Sequence, residues 1–223
     1  MSIKVQLYLE TATDAVMCAQ AGSDFIGLVS DNAGLLPGSL DYEAAQAVFS
    51  AVPQEVMKVA LSIAPDIGTT LEMVKAVKPD VLHLAGDPFT LDQIIQLRVA
   101  EPTVKIMQAI PMNTGDPIQT ARHYQPVCDY FLLDTNDPDA KDIGATGQTH
   151  DWNISAQLVQ AVHIPVILAG GLSADNVADA VKIVRPWGVD SFSHTNIVGT
   201  SGGDAVRKDP SKVKKFIANA KSA

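Results

Sequence analysis

Residues that could do chemistry cluster at the ends of short apolar runs. Gly170-Gly171 stands between a run ending at Ala169 and a helical pattern starting near Ser173. Glycine there lets backbone N–H groups approach an anion closely, and a helix start adds partial positive charge, so the pair suits a phosphate. A tight turn would use the same dipeptide. Ser193 and His194 close another run and lead into Gly199-Thr200-Ser201-Gly202-Gly203, a second source of close backbone donors. Asp134 follows Phe131-Leu132-Leu133. A carboxylate at the rim of a half-apolar mouth has its pKa raised, which suits a general acid; capping the loop from Thr135 is the alternative. His83 and Glu10 end two further runs, as do Ser30-Asp31 and, more loosely, Asp87. The stretch Gly144–Trp152, which includes Gly147, holds two glycines, two threonines and an aromatic. That composition fits an ordered active-site loop. Asp151 also fits a helix N-cap, and Trp152 fits packing on a rim. His83, His194, Asp31, Asp87 and Asp134 have the ligand types of a metal site, but their spacing matches no metal motif. A hydrogen-bonded lining histidine is the plainer role, so no metal and no cofactor are expected.

The elements that must position these residues alternate without interruption. Apolar, β-branched runs predict strands at Ile3–Leu9, Phe25–Val29, Val56–Ile63, Val81–Leu84, Val104–Ile110, Tyr130–Leu133, Val166–Ala169 and Val189–Ser193. Helical patterns lie between them. Thr13-Asp14, Asp41, Asp66, Thr90 and Ser173 offer side-chain oxygens to the first free N–H groups. The last helix follows Asp209-Pro210, a proline just inside a helix start. The strands are near-continuous apolar runs, as in a sheet covered on both faces. Eight strand–helix units in 223 residues predict an α/β fold, a (β/α)₈ TIM barrel formed by residues 1–223 as a single domain. The first strand runs into Tyr8-Leu9-Glu10-Thr11, which carries no dinucleotide fingerprint. In such a barrel chemistry sits at the C-terminal strand ends, and phosphate sits after strands seven and eight.

Charge narrows the partners. Acidic residues outnumber basic ones by 25 − 16 = 9, a formal net charge of −9. That excess repels phosphate backbones and anionic lipid, so neither nucleic acid nor a membrane surface is an expected partner. A small phosphorylated substrate is, because backbone amides bind phosphate without a lysine. Cys18 and Cys128 lie far apart and form no CxxC, which argues against zinc and against a disulfide scaffold. The opening MSIKVQLYLE is too short and polar for a signal peptide. A cytoplasmic monomer or homodimer is the expectation.

Three linked motifs resemble the phosphoribosylanthranilate isomerase family. They are Leu132-Leu133-Asp134-Thr135, GATGQTHDW from Gly144 to Trp152, and LAGGLSADNV from Leu168 to Val177. The family writes them LLDT, GGTGKTFDW and LAGGLTPENV. Weaker matches run through Asp14–Val29, Leu82–Asp87, Val184–Ser191 and the closing KVKKFIANAK, so the resemblance spans almost the whole chain. It implies a cofactor-free barrel of tryptophan biosynthesis that performs an Amadori rearrangement. An aspartate acid opens the ribose ring to an imine, and a cysteine base then removes the C2 proton. The acid falls on Asp134 and the phosphate-binding backbone on Gly170, Gly171 and in part Ser193.

Other family positions differ. Counting back from Asp14-Ala15 sets the family's cysteine at Leu7 and its following glycine at Tyr8. The segment that supplies the family's anthranilate-binding arginine reads NAGLLPGSL here, Asn32–Leu40, without a basic residue. The family's SSGVE becomes Phe192-Ser193-His194-Thr195-Asn196. Removing a general base costs about 10²–10⁴-fold. Three functions fit: the family isomerase with His83 or Glu10 as substitute base, a barrel enzyme acting on another sugar phosphate through Asp134 with His83 or His194, or a non-catalytic phosphate-binding relative.

Overall fold

The fold is given by a computed structural model that describes residues 2–34, 38–85, 89–135, 149–198 and 205–223. Its eight strands are β1 (Lys4–Tyr8), β2 (Phe25–Val29), β3 (Met57–Ser62), β4 (Val81–Leu84), β5 (Lys105–Pro111), β6 (Tyr130–Asp134), β7 (Val166–Leu168) and β8 (Gly188–Ser191). All pair in parallel with their sequence neighbours, and β8 pairs with β1, so the sheet closes on itself. Eight helices cover the outside: α1 (Ala12–Ala21), α2 (Tyr42–Ser50), α3 (Ile67–Val77), α4 (Leu91–Ala100), α5 (Pro117–Tyr124), α6 (Trp152–Ala161), α7 (Val177–Val184) and α8 (Pro210–Ser222). This is the (β/α)₈ barrel expected from the alternation. Among the described residues, no helix is long and apolar enough to cross a membrane.

Caps explain where the helices begin. Asp41, Asp66, Thr90 and Asp209 accept backbone N–H groups at the starts of α2, α3, α4 and α8. Thr90 and Gln93 complete a reciprocal capping box. Two starts differ from expectation. α1 is capped by Thr11, whose hydroxyl accepts from the Asp14 N–H, two residues before Thr13. Ser173 sits in a turn instead, its N–H donating to Asn176 Oδ1 at 2.8 Å, and α7 starts at Val177. Asp151 caps α6 and Trp152 packs against the outer core, the structural reading of that pair.

Alternation along the strands splits the core into two shells. Val5, Leu7, Leu9, Ile26, Leu28, Leu82, Leu84 and Leu133 face the helices. Phe25, Val59, Val81, Met107, Leu132 and Ile167 fill the lumen. Phe25, Tyr130 and Trp187 pack their rings within 5.5–6.0 Å at the N-terminal end, an aromatic floor. Toward the C-terminal ends the lumen turns polar, with Tyr8, His83 and Asp190 buried there.

Candidate active site

β6, β7 and β8 build one recess. Asp134, Ala169, Gly170, Gly171, Asp190, Ser193 and His194 line a cavity of about 20 Å³, roughly the room for a single water. The structure therefore brings Asp134, Gly170, Gly171, Ser193 and His194 together. Gly170 and Gly171 both take positive φ, 79° and 64°, a region costly for residues with a Cβ. A Cβ on Gly170 would stand 2.7 Å from Thr135 Oγ1, so backbone must be bare where it passes the recess. The Asn176 side chain holds this turn by donating to Gly171 O at 3.0 Å. Ser193 and His194 open a short 3₁₀ turn, Ser193–Thr195, just past β8. Gly147, Asp87 and the run from Gly199 to Gly203 lie outside the described residues.

Strand register sets a second carboxyl beside Asp134. Leu133 pairs with Leu168, and Leu168 with Val189. One step further along, Asp134, Ala169 and Asp190 stand at one level on three adjacent strands, and Asp190 pairs on with Gln6. Side chains paired across parallel strands point to the same face, so both carboxyls face the lumen. Desolvation pushes Asp134 up to about 7, opposed by the Thr135 N–H donated to it at 2.7 Å. Burial pushes Asp190 up to about 8, with repulsion from Asp134 adding to the shift. That repulsion acts on both partners, and the two share their protons as a pair. Gln6 stands beside Asp190 and favours its ionised form, but neither Gln6 amide atom nor Asp190 Oδ1 has a hydrogen bond within 3.5 Å.

His83 lies inside the lumen on β4, one residue before the strand end. Its Nδ1 is 2.6 Å from the Tyr8 hydroxyl, and its Nε2 is buried without a partner. Burial depresses His83 to about 3 and, with repulsion from Asp190 and Asp134, holds the Tyr8 hydroxyl well above its usual range. Both shifts favour the neutral imidazole and the neutral phenol. The lumen-facing residues of β1 are Gln6 and Tyr8. Leu7, set by counting at the family's cysteine, is fully buried in the outer shell, because alternate residues on a strand point to opposite faces. Cys18 and Cys128 are also in that shell, both pushed up to about 12 by burial.

Glu10 turns away from the recess. Its Oε2 accepts the Val206 N–H at 2.8 Å, and its other oxygen presses on Gly38, where a Cβ could not fit. It ties together the segments after β1, β2 and β8. Burial raises Glu10 above the usual carboxylate range. Lys208, next along that last segment, is buried and donates to Phe192 O, Thr195 Oγ1 and Asn196 Oδ1 at 2.7–2.8 Å. Desolvation lowers it to about 8. Arg207 and the Lys208 N–H both bind Asp14. No group of three or more metal-ligating side chains occurs among the described residues.

Residue-type reasoning missed Asp190, Gln6 and Tyr8. Asp190 sits mid-run in Val189–Ser193, and only its parity with the lumen positions of β8 would have singled it out.

Comparison with known proteins identifies relatives of the chain along nearly its whole length. The sequence profile described as N-(5'phosphoribosyl)anthranilate (PRA) isomerase matches residues 6–219. The N-(5'-phosphoribosyl)anthranilate isomerase of Haloferax volcanii is 37% identical over 211 residues, covering 95% of this chain and 89% of its own. N-(5'-phosphoribosyl)anthranilate isomerase 2 of Methanosarcina mazei is 34% identical over 222 residues, covering 100% and 95%. The phosphoribosyl anthranilate isomerase of Thermotoga maritima superposes with a TM-score of 0.81 at 24% identity, over 99% of this chain and 100% of that one. A phosphoribosyl anthranilate isomerase in complex with reduced 1-(o-carboxyphenylamino)-1-deoxyribulose 5-phosphate gives 0.77 at 22%, over 99% and 100%. Those superpositions establish the shared barrel. The profile match over nearly the whole chain, with relatives above 30% identity across it, establishes descent: the chain belongs to the N-(5'-phosphoribosyl)anthranilate isomerase family.

Proposed function

We propose that this chain isomerises N-(5'-phosphoribosyl)anthranilate to 1-(o-carboxyphenylamino)-1-deoxyribulose 5-phosphate, with no cofactor. The observation that carries the reading is the recess in which Asp134 adjoins the bare backbone of Gly170 and Gly171 and the turn at Ser193-His194. Phosphate on that backbone would leave the sugar ring facing Asp134. A carboxyl held near 7 keeps a proton at neutral pH and can give it to the ring oxygen as the C1–O bond breaks. His83 and Glu10 take positioning roles in this reading: His83 fixes the Tyr8 hydroxyl, and Glu10 fixes the segment carrying Lys208.

One observation favours a second reading, a smaller sugar phosphate. Asn32–Leu40 offers no cation for the anthranilate carboxylate. Both readings meet in one experiment: purified from a host deleted for its own isomerase, the protein is given freshly generated phosphoribosylanthranilate and the loss of substrate fluorescence is followed. Saturable turnover is the expected result. No turnover above the host background, with binding of pentose phosphates retained, would move the assignment to the second reading.

A further inference from the structure

The C-terminal half of the lumen holds buried polar atoms without partners. Gln6 Nε2 and Oε1, His83 Nε2 and Asp190 Oδ1 are all buried and unpartnered, on β1, β4 and β8. Buried polar atoms in folded proteins are nearly always hydrogen-bonded, and of these four orphans Asp190 Oδ1 is the one whose residue lines the recess, so it marks a place for a polar ligand. Asp190 is the carboxyl among them, only 7% exposed, and it lines the cavity with Asp134. The Amadori rearrangement needs two proton-handling groups, and both thiols are buried in the outer shell away from the lumen.

We infer that Asp190 is the base of this isomerase, removing the substrate's C2 proton while Asp134 serves as the acid. The inference rests on the isomerase reading above. Asp134 and Asp190 flank Ala169 two strands apart, about 10 Å between backbones at the usual interstrand spacing. Both carboxyls face the lumen at that level, on either side of Ala169.

The protons balance with one shared between the two carboxyls at the start. Asp134 gives that proton to the ring oxygen, the C1–O bond breaks toward oxygen, and the nitrogen lone pair forms the C1=N iminium. The Asp190 carboxylate takes the C2 proton. The C2–H electron pair becomes the C1=C2 bond and the C1=N π pair returns to nitrogen, giving an enolamine. Asp190 then protonates C1 while the C2 hydroxyl returns its proton to Asp134, leaving the ketone and the starting single proton. Two carboxyls in unlike surroundings divide acid and base roles in this way. Asp190 is faced by Asp134 from β6, by Gln6 and Tyr8 from β1, with His83 of β4 behind Tyr8, and by Lys208 from the segment before α8. Desolvation and repulsion from Asp134 favour the neutral form of Asp190, against the Lys208 ammonium and the Gln6 amide; Asp190 acts as a base in the state of the pair whose one proton sits on Asp134.

The test compares wild type with Asp190→Asn and Asp190→Glu in the fluorescence assay, using substrate with hydrogen or deuterium at C2. Asp190→Asn should lower kcat by about 10²–10⁴-fold with KM changed less than threefold, and should abolish the low-pH limb of the rate profile. Asp190→Glu, which keeps a displaced carboxylate, should restore part of the rate and show a larger C2 isotope effect than wild type. Wild-type turnover with Asp190→Asn within threefold of it would overturn the inference and leave the isomerase reading standing. So would an isotope effect in Asp190→Glu no larger than wild type's, which decides the matter if Asp190→Asn fails to fold. A wild type without turnover would overturn both.

Discussion

The Tyr8 ring lies flat against the backbone of Gly27: a Cβ added to that glycine would stand 2.7–2.8 Å from three ring carbons. Neighbouring strands β1 and β2 thus share one volume, glycine on one making room for an aromatic on the other. The ring reaches across the lumen to His83 only because that space is empty. Gly27→Ala should therefore destabilise the fold by about 1–3 kcal/mol, the usual cost of overpacking. In a Tyr8→Leu background the same substitution should cost far less, since contacting residues couple. Urea unfolding of the four proteins measures both; equal costs in the two backgrounds would disprove the contact.

Acid should weaken the fold through His83. Its imidazole stays neutral down to about 3 when folded, whereas an unfolded histidine takes a proton near 6.5. The unfolded chain therefore binds more protons between those values, and stability is lost as pH falls through that window. From pH 6.5 to 4.5 the loss from this one group is on the order of 2 kcal/mol. Asp134 and Asp190, held high in the folded state, push the other way, so the contribution is isolated by comparison. His83→Asn should show a smaller fall in unfolding midpoint than wild type over that interval.

Gly170 should be intolerant of any side chain. Its φ of 79° and the 2.7 Å approach of Thr135 Oγ1 leave alanine both strained and crowded. Gly170→Ala is expected to raise KM for the phosphorylated substrate by about tenfold or more, equivalent to about 1.4 kcal/mol of lost binding, and to change kcat less. Steady-state kinetics separate the two; an unchanged KM would remove this backbone from the phosphate site.

Much of this was legible before the fold. Period and apolar runs located all eight strands, because each is buried on both faces and leaves a nearly continuous hydrophobic signature. The strand-end rule and the family motifs selected Asp134, Gly170 and Gly171, which meet in one recess. Glu10 and His83 were selected by the same rule, but their contacts are set by the third dimension. Glu10 reaches 196 residues along the chain to the Val206 N–H. His83 is one residue too deep, paired with a tyrosine 75 positions away. Leu7, set by counting back from Asp14-Ala15, lies in the outer shell, a facing that becomes visible only once the barrel closes. Asp190 was hidden by its place inside a run, where the lumen parity of β8 is visible only once the barrel closes.

The central claim is that Asp134 supplies the proton that opens the sugar ring. Turnover of freshly generated phosphoribosylanthranilate by wild type and Asp134→Asn, measured side by side across pH 5.5–9, tests it most directly. Wild type should show a two-limbed profile near neutrality, as a raised carboxyl pair dictates, and Asp134→Asn should lose about 10²-fold or more in kcat at every pH. Turnover that survives Asp134→Asn undiminished would contradict the assignment of the acid.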